Sequence, residues 1–164
     1  SEMVTALEAG LTHFFTMIND QTGVDVRDLV GGGAAGVLSA GLIAFLGGKL
    51  ESGIDLLLDY HDFSRLLAQA DVVVTGEGQM DSQTIDGKGP IGVARLARDH
   101  GVPSVAVVGG VNVDEVILHD AGVSVVMPIV NKPMTLHEAI IDAEALIEAT
   151  GLRVGYWLKI WQGQ

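Results

Sequence analysis

Asp71-Val72-Val73-Val74-Thr75-Gly76, Val105-Ala106-Val107-Val108-Gly109-Gly110 and Val123-Ser124-Val125-Val126-Met127 are three short apolar runs bounded by turn-forming residues. Runs of this length, rich in Val, read as strands buried on both faces, the form strands take in parallel sheets. The segments between them read as helices. Pro90 stands at a first-turn position ahead of Ile91, Val93, Ala94, Leu96 and Ala97, and Gly101 lies just past His100 as a stop. Asp114 is placed to cap a short helix through His119, and a last helix is predicted from Leu136 to about Leu152. The order strand, helix, strand, helix, strand, helix predicts an α/β fold, a parallel Rossmann-like or flavodoxin-like sheet over about 70–164 with right-handed crossovers. Ligands of such sheets bind beyond the carboxyl ends of the strands, so the loops after Thr75, Val108 and Met127 are expected to line the site.

Upstream the pattern changes. Met3, Ala6, Leu7, Leu11, Phe14, Phe15 and Ile18 recur at three and four, an amphipathic helix stopped near Gly23. Gly31-Gly32-Gly33-Ala34-Ala35-Gly36 reads as a glycine turn opening a buried helix through Leu46, closed by Gly47-Gly48. Asp62 is placed to N-cap a short helix through Leu67. With no strand alternation before residue 60, a boundary is expected at 60–70: residues 1–65 as a mainly helical, Gly-rich piece of a second domain, and 66–164 as the Rossmann-like part.

Composition narrows the partners. The net charge of −12 repels phosphate backbones and anionic lipid, which argues against nucleic acid and membrane surfaces. An anionic substrate then needs local backbone N–H groups, placed cations or a bound metal. The absence of cysteine excludes disulfides, thiol catalysis and thiolate metal sites. No signal peptide is visible after Ser1-Glu2-Met3, and the longest apolar stretch, 37–46, is far short of a bilayer span, so a cytoplasmic protein is expected. His13, His61, His100, His119 and His137 are dispersed without metal-ligand spacing, and Trp157 and Trp161 fit an apolar face of the final helix.

The connection after the first strand, residues 76–90, is long where such loops usually run about two to six residues. It carries the carboxylates Glu77, Asp81 and Asp86, the cation Lys88, the hydroxyls of Ser82 and Thr84, and several glycines. These are the parts phosphoryl transfer uses: carboxylates to hold Mg²⁺ or take a hydroxyl proton, a Lys to neutralise charge, and helix-start amides to cradle phosphate. A solvated turn, with Asp81 and Ser82 acting as caps and Lys88 exposed, is the alternative reading of the same residues. A P-loop is excluded, because Gly89 follows Lys88 and the earlier glycine of that motif is missing.

The stretch from Val72 to Ala94, with Gly76-Glu77-Gly78, Asp81, Gln83-Thr84 and Gly87-Lys88-Gly89-Pro90 in that order, resembles the signature of the bacterial glycerate kinase family. The family's Gly-Ala-Gly-Ala-Ala-Gly-Gly segment is similar to residues 31–37, and its next apolar helix and Gly-Ile segment resemble 40–46 and Gly53-Ile54. Three positions depart from the pattern: Gly32 stands where Ala is usual, Val37 where Gly is usual, and Gln79 where a basic residue is common. The resemblance implies phosphorylation of D-glycerate by ATP with Mg²⁺. It implies Asp81, Glu77 and Lys88 as catalytic groups, with Asp81 and Glu77 also as metal ligands. Gln83, Thr84, Gly76 and Gly78 are implied for substrate. The candidates for phosphate are Gly31, Gly32, Gly33 and Gly36, whose turn can present amides to an anion or serve close backbone packing, Gly87, and Gly109, which sits at the ligand edge or simply ends its strand.

Family members resemble two-domain enzymes more than twice this length, with the site in the cleft between domains. Their N-terminal Asp-Ser-Phe-Lys and Asp-Gly-Gly-Glu motifs have no counterpart here. The chain is therefore expected to be a C-terminal part, inactive alone, whose incomplete sheet exposes an edge that self-association or the missing N-terminal part would cover. A non-catalytic nucleotide- or phosphate-binding or regulatory module is the alternative.

Overall fold

A computed structural model describes the chain apart from Ser1, Asp86, Gln162 and Gln164. The described residues form two compact units, 1–51 and 52–164. The division falls ahead of α3, earlier than a boundary drawn where the strand pattern starts.

In the first unit, α1 (Glu2–Thr22) ends as its sequence reads: Gly23 takes φ of 72° and its N–H bonds Asn19 O. Helix α2 (Ala34–Leu46) closes at Gly47, also left-handed. Ile18, Val26 and Ala40 form the small core of this unit, flanked by Phe15 and Val37. The expectation of a buried α2 is corrected. Only Ala40 is buried, and Leu38, Leu42, Phe45 and Leu46 are exposed, because a helix with one helical neighbour buries a single stripe. Its first turn is irregular as well: Ala35, Gly36 and Val37 have φ of 51°, 65° and 71°, and Ser39 Oγ lies 2.9 Å from the carbonyls of both Gly31 and Gly32. A β-branched residue such as Val37 is strained there.

The second unit opens with α3 (Gly53–Tyr60), a helix not anticipated from the sequence, whose N-cap Ser52 Oγ accepts the Asp55 N–H at 3.4 Å. In α4 (Phe63–Leu67) Asp62 holds the cap position without capping. Its backbone is left-handed, φ 49°, and its carboxylate pairs instead with Arg65 Nε at 2.9 Å.

Three strands follow, β1 (Val73–Met80), β2 (Ser104–Val111) and β3 (Val125–Pro128), in a parallel sheet of order β1-β2-β3. The α/β class with a parallel sheet is as expected. Two details differ. Strands β1 and β2 run on through Gly76, Glu77, Gly78 and Gln79 and through Gly109 and Gly110, residues expected in loops, and they pair from Val73↔Ser104 to Met80↔Val111. Backbone partners decide this, since glycine weakens a strand without forbidding it where two backbones must approach closely. At Gly109 the approach is extreme: a Cβ there would lie 2.3 Å from Gly78 O. Further, β1 is not buried on both faces, Val74 being 54% exposed, because β1 is an edge strand of the described sheet.

Helix α5 (Ser82–Ile85) is one turn, and α6 (Gly89–Asp99) carries Pro90 in its first turn and ends at Gly101 as predicted. Asp114 caps α7 (Glu115–Asp120), accepting the Val116 N–H at 2.9 Å. Ile91 and Ala94 of α6 and Leu118 of α7 pack with Met80, Ala106, Val108 and Val123 as the main core. The single last helix is corrected to two, α8 (Leu136–Ile141), held by a Thr135/Glu138 capping box, and α9 (Ala143–Trp161), with Asp142 between them as the C-cap of α8. No helix among the described residues is long and apolar enough to cross a membrane.

Candidate functional site

Strand β1 delivers Asp81 just past its last residue, at the carboxyl edge of the sheet. The chain turns there into α5, and Asp81 makes the turn: its Oδ1 accepts the N–H groups of Gln83 (3.0 Å) and Thr84 (3.1 Å). Thr84 is fully buried and reciprocates. Its hydroxyl accepts the Asp81 N–H at 3.1 Å and directs its proton to Gln79 O (3.4 Å) or Asp81 Oδ1 (3.3 Å). The second carboxylate oxygen of half-buried Asp81 has no hydrogen bond among the described residues. Side-chain capping and an available oxygen coexist on one residue.

Glu77 is half-buried within β1, paired with Val108, and enters no side-chain hydrogen bond or ion pair among the described residues. Lys88 is exposed and stands at the N-cap of α6, where its carbonyl, not its ammonium, accepts the N–H groups of Ile91 and Gly92. Gln83 is exposed on α5. Asp86 lies outside the described residues.

The glycines divide by physical cause. Gly87 adopts φ of 105°, which its conformation alone explains. Gly32 and Gly109 are demanded by packing, a Cβ on Gly32 falling 2.9 Å from Leu29 O. Gly76 tolerates little, with Val107 O at 3.1 Å, while Gly78 has open space. Gly31, Gly33 and Gly36 are exposed in the first compact unit, Gly31 and Gly36 with positive φ.

What the sequence did not reveal is a groove of about 730 Å³ beside the carboxyl halves of β1 and β2. Residues 76–79 and 107–110 form one side, and Leu136, Ile140, Ala143 and Ile147 of α8 and α9 the other. Their i, i+4 and i+7 spacing was legible as a helical stripe, but its facing surface was not. Glu77 lines this groove, whereas Asp81, Gln83, Thr84 and Lys88 do not.

No cluster of three or more His, Asp or Glu residues suited to a metal occurs among the described residues. A Mg²⁺ ion carried by a nucleotide asks less, commonly one or two carboxylates with phosphate and water completing its octahedron. The free oxygen of Asp81 fits such a donor. All five histidines are exposed.

The sequence profile of the glycerate kinase family matches residues 1–159. Among named relatives, glycerate kinase of Halalkalibacterium halodurans is 40% identical over 145 residues, covering 88% of this chain and 38% of the relative. Glycerate kinase of Bacillus subtilis is 34% identical over 160 residues (98% and 42%), and glycerate 2-kinase of Escherichia coli K12 is 37% identical over 137 residues (84% and 36%). The crystal structure of a candidate glycerate kinase 2 from Salmonella typhimurium LT2 superposes with a TM-score of 0.74 at 37% identity, covering 99% of this chain and 42% of that one. The chain thus spans about two-fifths of the length of the relatives it matches.

Proposed function

The chain belongs to the glycerate kinase family, and we propose that it forms one wall of an ATP-dependent kinase that phosphorylates D-glycerate, inactive without the opposing wall. The observation that carries this is Asp81. A carboxylate held at the strand edge by two backbone amides and a buried Thr, with one oxygen unengaged among the described residues, is positioned to receive a proton from an attacking hydroxyl. Thr84 acts through Asp81 by fixing it, rather than by touching substrate. Lys88, exposed at the start of α6, contributes positive charge to a chain whose overall charge of −12 opposes anions. Glu77 is the second acid, and Gln83, Gly76 and Gly78 contribute polar and backbone contacts to substrate. Mg²⁺, when bound with the nucleotide, would neutralise phosphate charge, with Asp81 as its protein ligand. The name of the Escherichia coli relative favours the 2-hydroxyl as acceptor. Residues 1–51 are proposed as a piece of a second domain, and the unpaired edge of β1 as the place where further strands, from a longer chain or a second copy, would add. A soluble, cytoplasmic setting accords with these small-molecule substrates.

The isolated chain is expected to release no ADP above background, since positioning from both sides of a cleft supplies most of phosphoryl-transfer catalysis. Grafted in place of the matching segment of the Bacillus subtilis enzyme, it should yield a glycerate kinase that Asp81→Asn slows by about 10²–10⁴-fold. A graft indifferent to Asp81→Asn overturns the role given to Asp81, and a graft without glycerate kinase activity overturns the kinase assignment.

A further inference from the structure

The groove between β1, β2 and the helices α8 and α9 is poorly suited to the charged parts of the proposed reactants. Its volume, about 730 Å³, lies in the range of small-ligand sites, roughly 300–1,000 Å³, and far exceeds what a three-carbon acid fills. Among the described residues one ionisable group lines it, Glu77, and that group is acidic; no described Lys, Arg or His does. A phosphate chain or a glycerate carboxylate would meet no compensating charge there and would be repelled.

Its walls suit a flat, uncharged ring system. On the strand side, Gly76, Gly78, Gly109 and Gly110 leave bare backbone, over which a ring can approach more closely than over side chains. Facing them, Leu136, Ile140 and Ile147 present branched aliphatic groups, 77%, 66% and 53% exposed as the groove stands. Gln79 and Glu77 add an amide and a carboxylate, partners for ring nitrogens, exocyclic amines and ribose hydroxyls. The groove also lies at the carboxyl halves of parallel strands, where open α/β sheets receive ligands.

We propose that this groove binds the nucleoside part, base and ribose, of the phosphoryl donor, leaving the phosphates outside it. The assignment rests on the kinase reading for the identity of the donor, and on the groove's charge and shape for its place. Covering the exposed aliphatic wall with a ring removes apolar surface from water, which is the driving force here.

The test needs no turnover. Adenosine, which lacks phosphate, is titrated onto the 164-residue chain and followed by methyl NMR. Saturable shifts are expected at Ile129, Leu136, Ile140 and Ile147, together with a dissociation constant raised at least tenfold by Ile140→Asp. Ile160→Asp adds the same charge to α9 at a residue 76% exposed and outside the groove, and should leave binding unchanged. Both positions are solvent-facing, so neither variant threatens the fold. Absence of shifts, shifts elsewhere, or equal effects of the two variants overturns the assignment. The kinase reading fails by a different result, a graft without glycerate kinase activity, so either can fall while the other stands.

Discussion

Replacing Gly109 by Ala tests the closest backbone approach in the sheet. The new Cβ would sit 2.3 Å from Gly78 O, where ordinary contact begins at 3.4 Å, so β1 and β2 must separate locally by about 1 Å. The obstacle is backbone in a paired strand, not the end of a flexible side chain, and the flanking pairs Glu77↔Val108 and Gln79↔Gly110 would be strained together. Forced overpacking costs about 1–3 kcal/mol. Weakening a ladder bond on either side adds about 1 kcal/mol. A loss of about 3 kcal/mol corresponds to a fall in melting temperature of roughly 6–12 °C for a chain of this size. The neighbouring Gly110→Ala is the control, since no atom lies within 4 Å of its added Cβ and its φ is not positive; it should fall within about 0.5 kcal/mol of the parent. Urea denaturation of the two variants with unchanged slopes measures the difference directly. Equal midpoints for Gly109→Ala and Gly110→Ala would refute the claim that this approach requires glycine.

Other perturbations probe separate links. Gly92→Ala places a Cβ 2.6 Å from Ile54 Cγ1, so it should destabilise by about 1–3 kcal/mol, and adding Ile54→Ala should cost less than the sum of the two singles in a double-mutant cycle. Thr84→Val strips the Asp81 N–H of its acceptor in a buried turn; unfolding free energy should drop by about 1–3 kcal/mol, and an unaltered urea midpoint would contradict the hydrogen-bond assignment. Asp25 has its pKa lowered to about 2, first by the Arg27 side chain (Nε to Oδ1, 3.0 Å) and then by the Arg27 backbone N–H. A lowered folded value stabilises above the unfolded pKa of about 3.9, and the contribution disappears as pH falls through about 2. Arg27→Met should move the Asp25 carboxyl midpoint, read by ¹³C NMR, back toward the ordinary carboxylate value, the backbone bond holding it slightly below.

Much of this architecture could be read along the chain because its causes are local. Pro90 and Gly101 bound α6, Asp114 caps α7 and Gly23 stops α1, each through backbone geometry within a few residues. The alternation of Val-rich runs and helices was enough for a parallel α/β sheet, and the ordered residues from Gly76 to Lys88 were enough for the family. Asp62 shows where local reasoning stops: the right residue stands at the cap position, yet Arg65 takes its carboxylate.

Sequence alone determined most of the elements, their order and the family, α3, α5 and the division of the last helix excepted, since these follow from periodicity, caps and residue identity in series. Tertiary structure decided how far the strands run, which hydrogen bonds hold Asp81 and where a groove opens beside the sheet. Gly76, Gly78, Gly109 and Gly110 punctuate the sequence as turns, but paired backbones draw them into the sheet and leave a bare surface. Opposite them, α8 and α9 supply a wall from residues some 30 to 70 positions away in the chain. Such a groove depends on distances between distant segments, and no periodicity along one strand or helix encodes it.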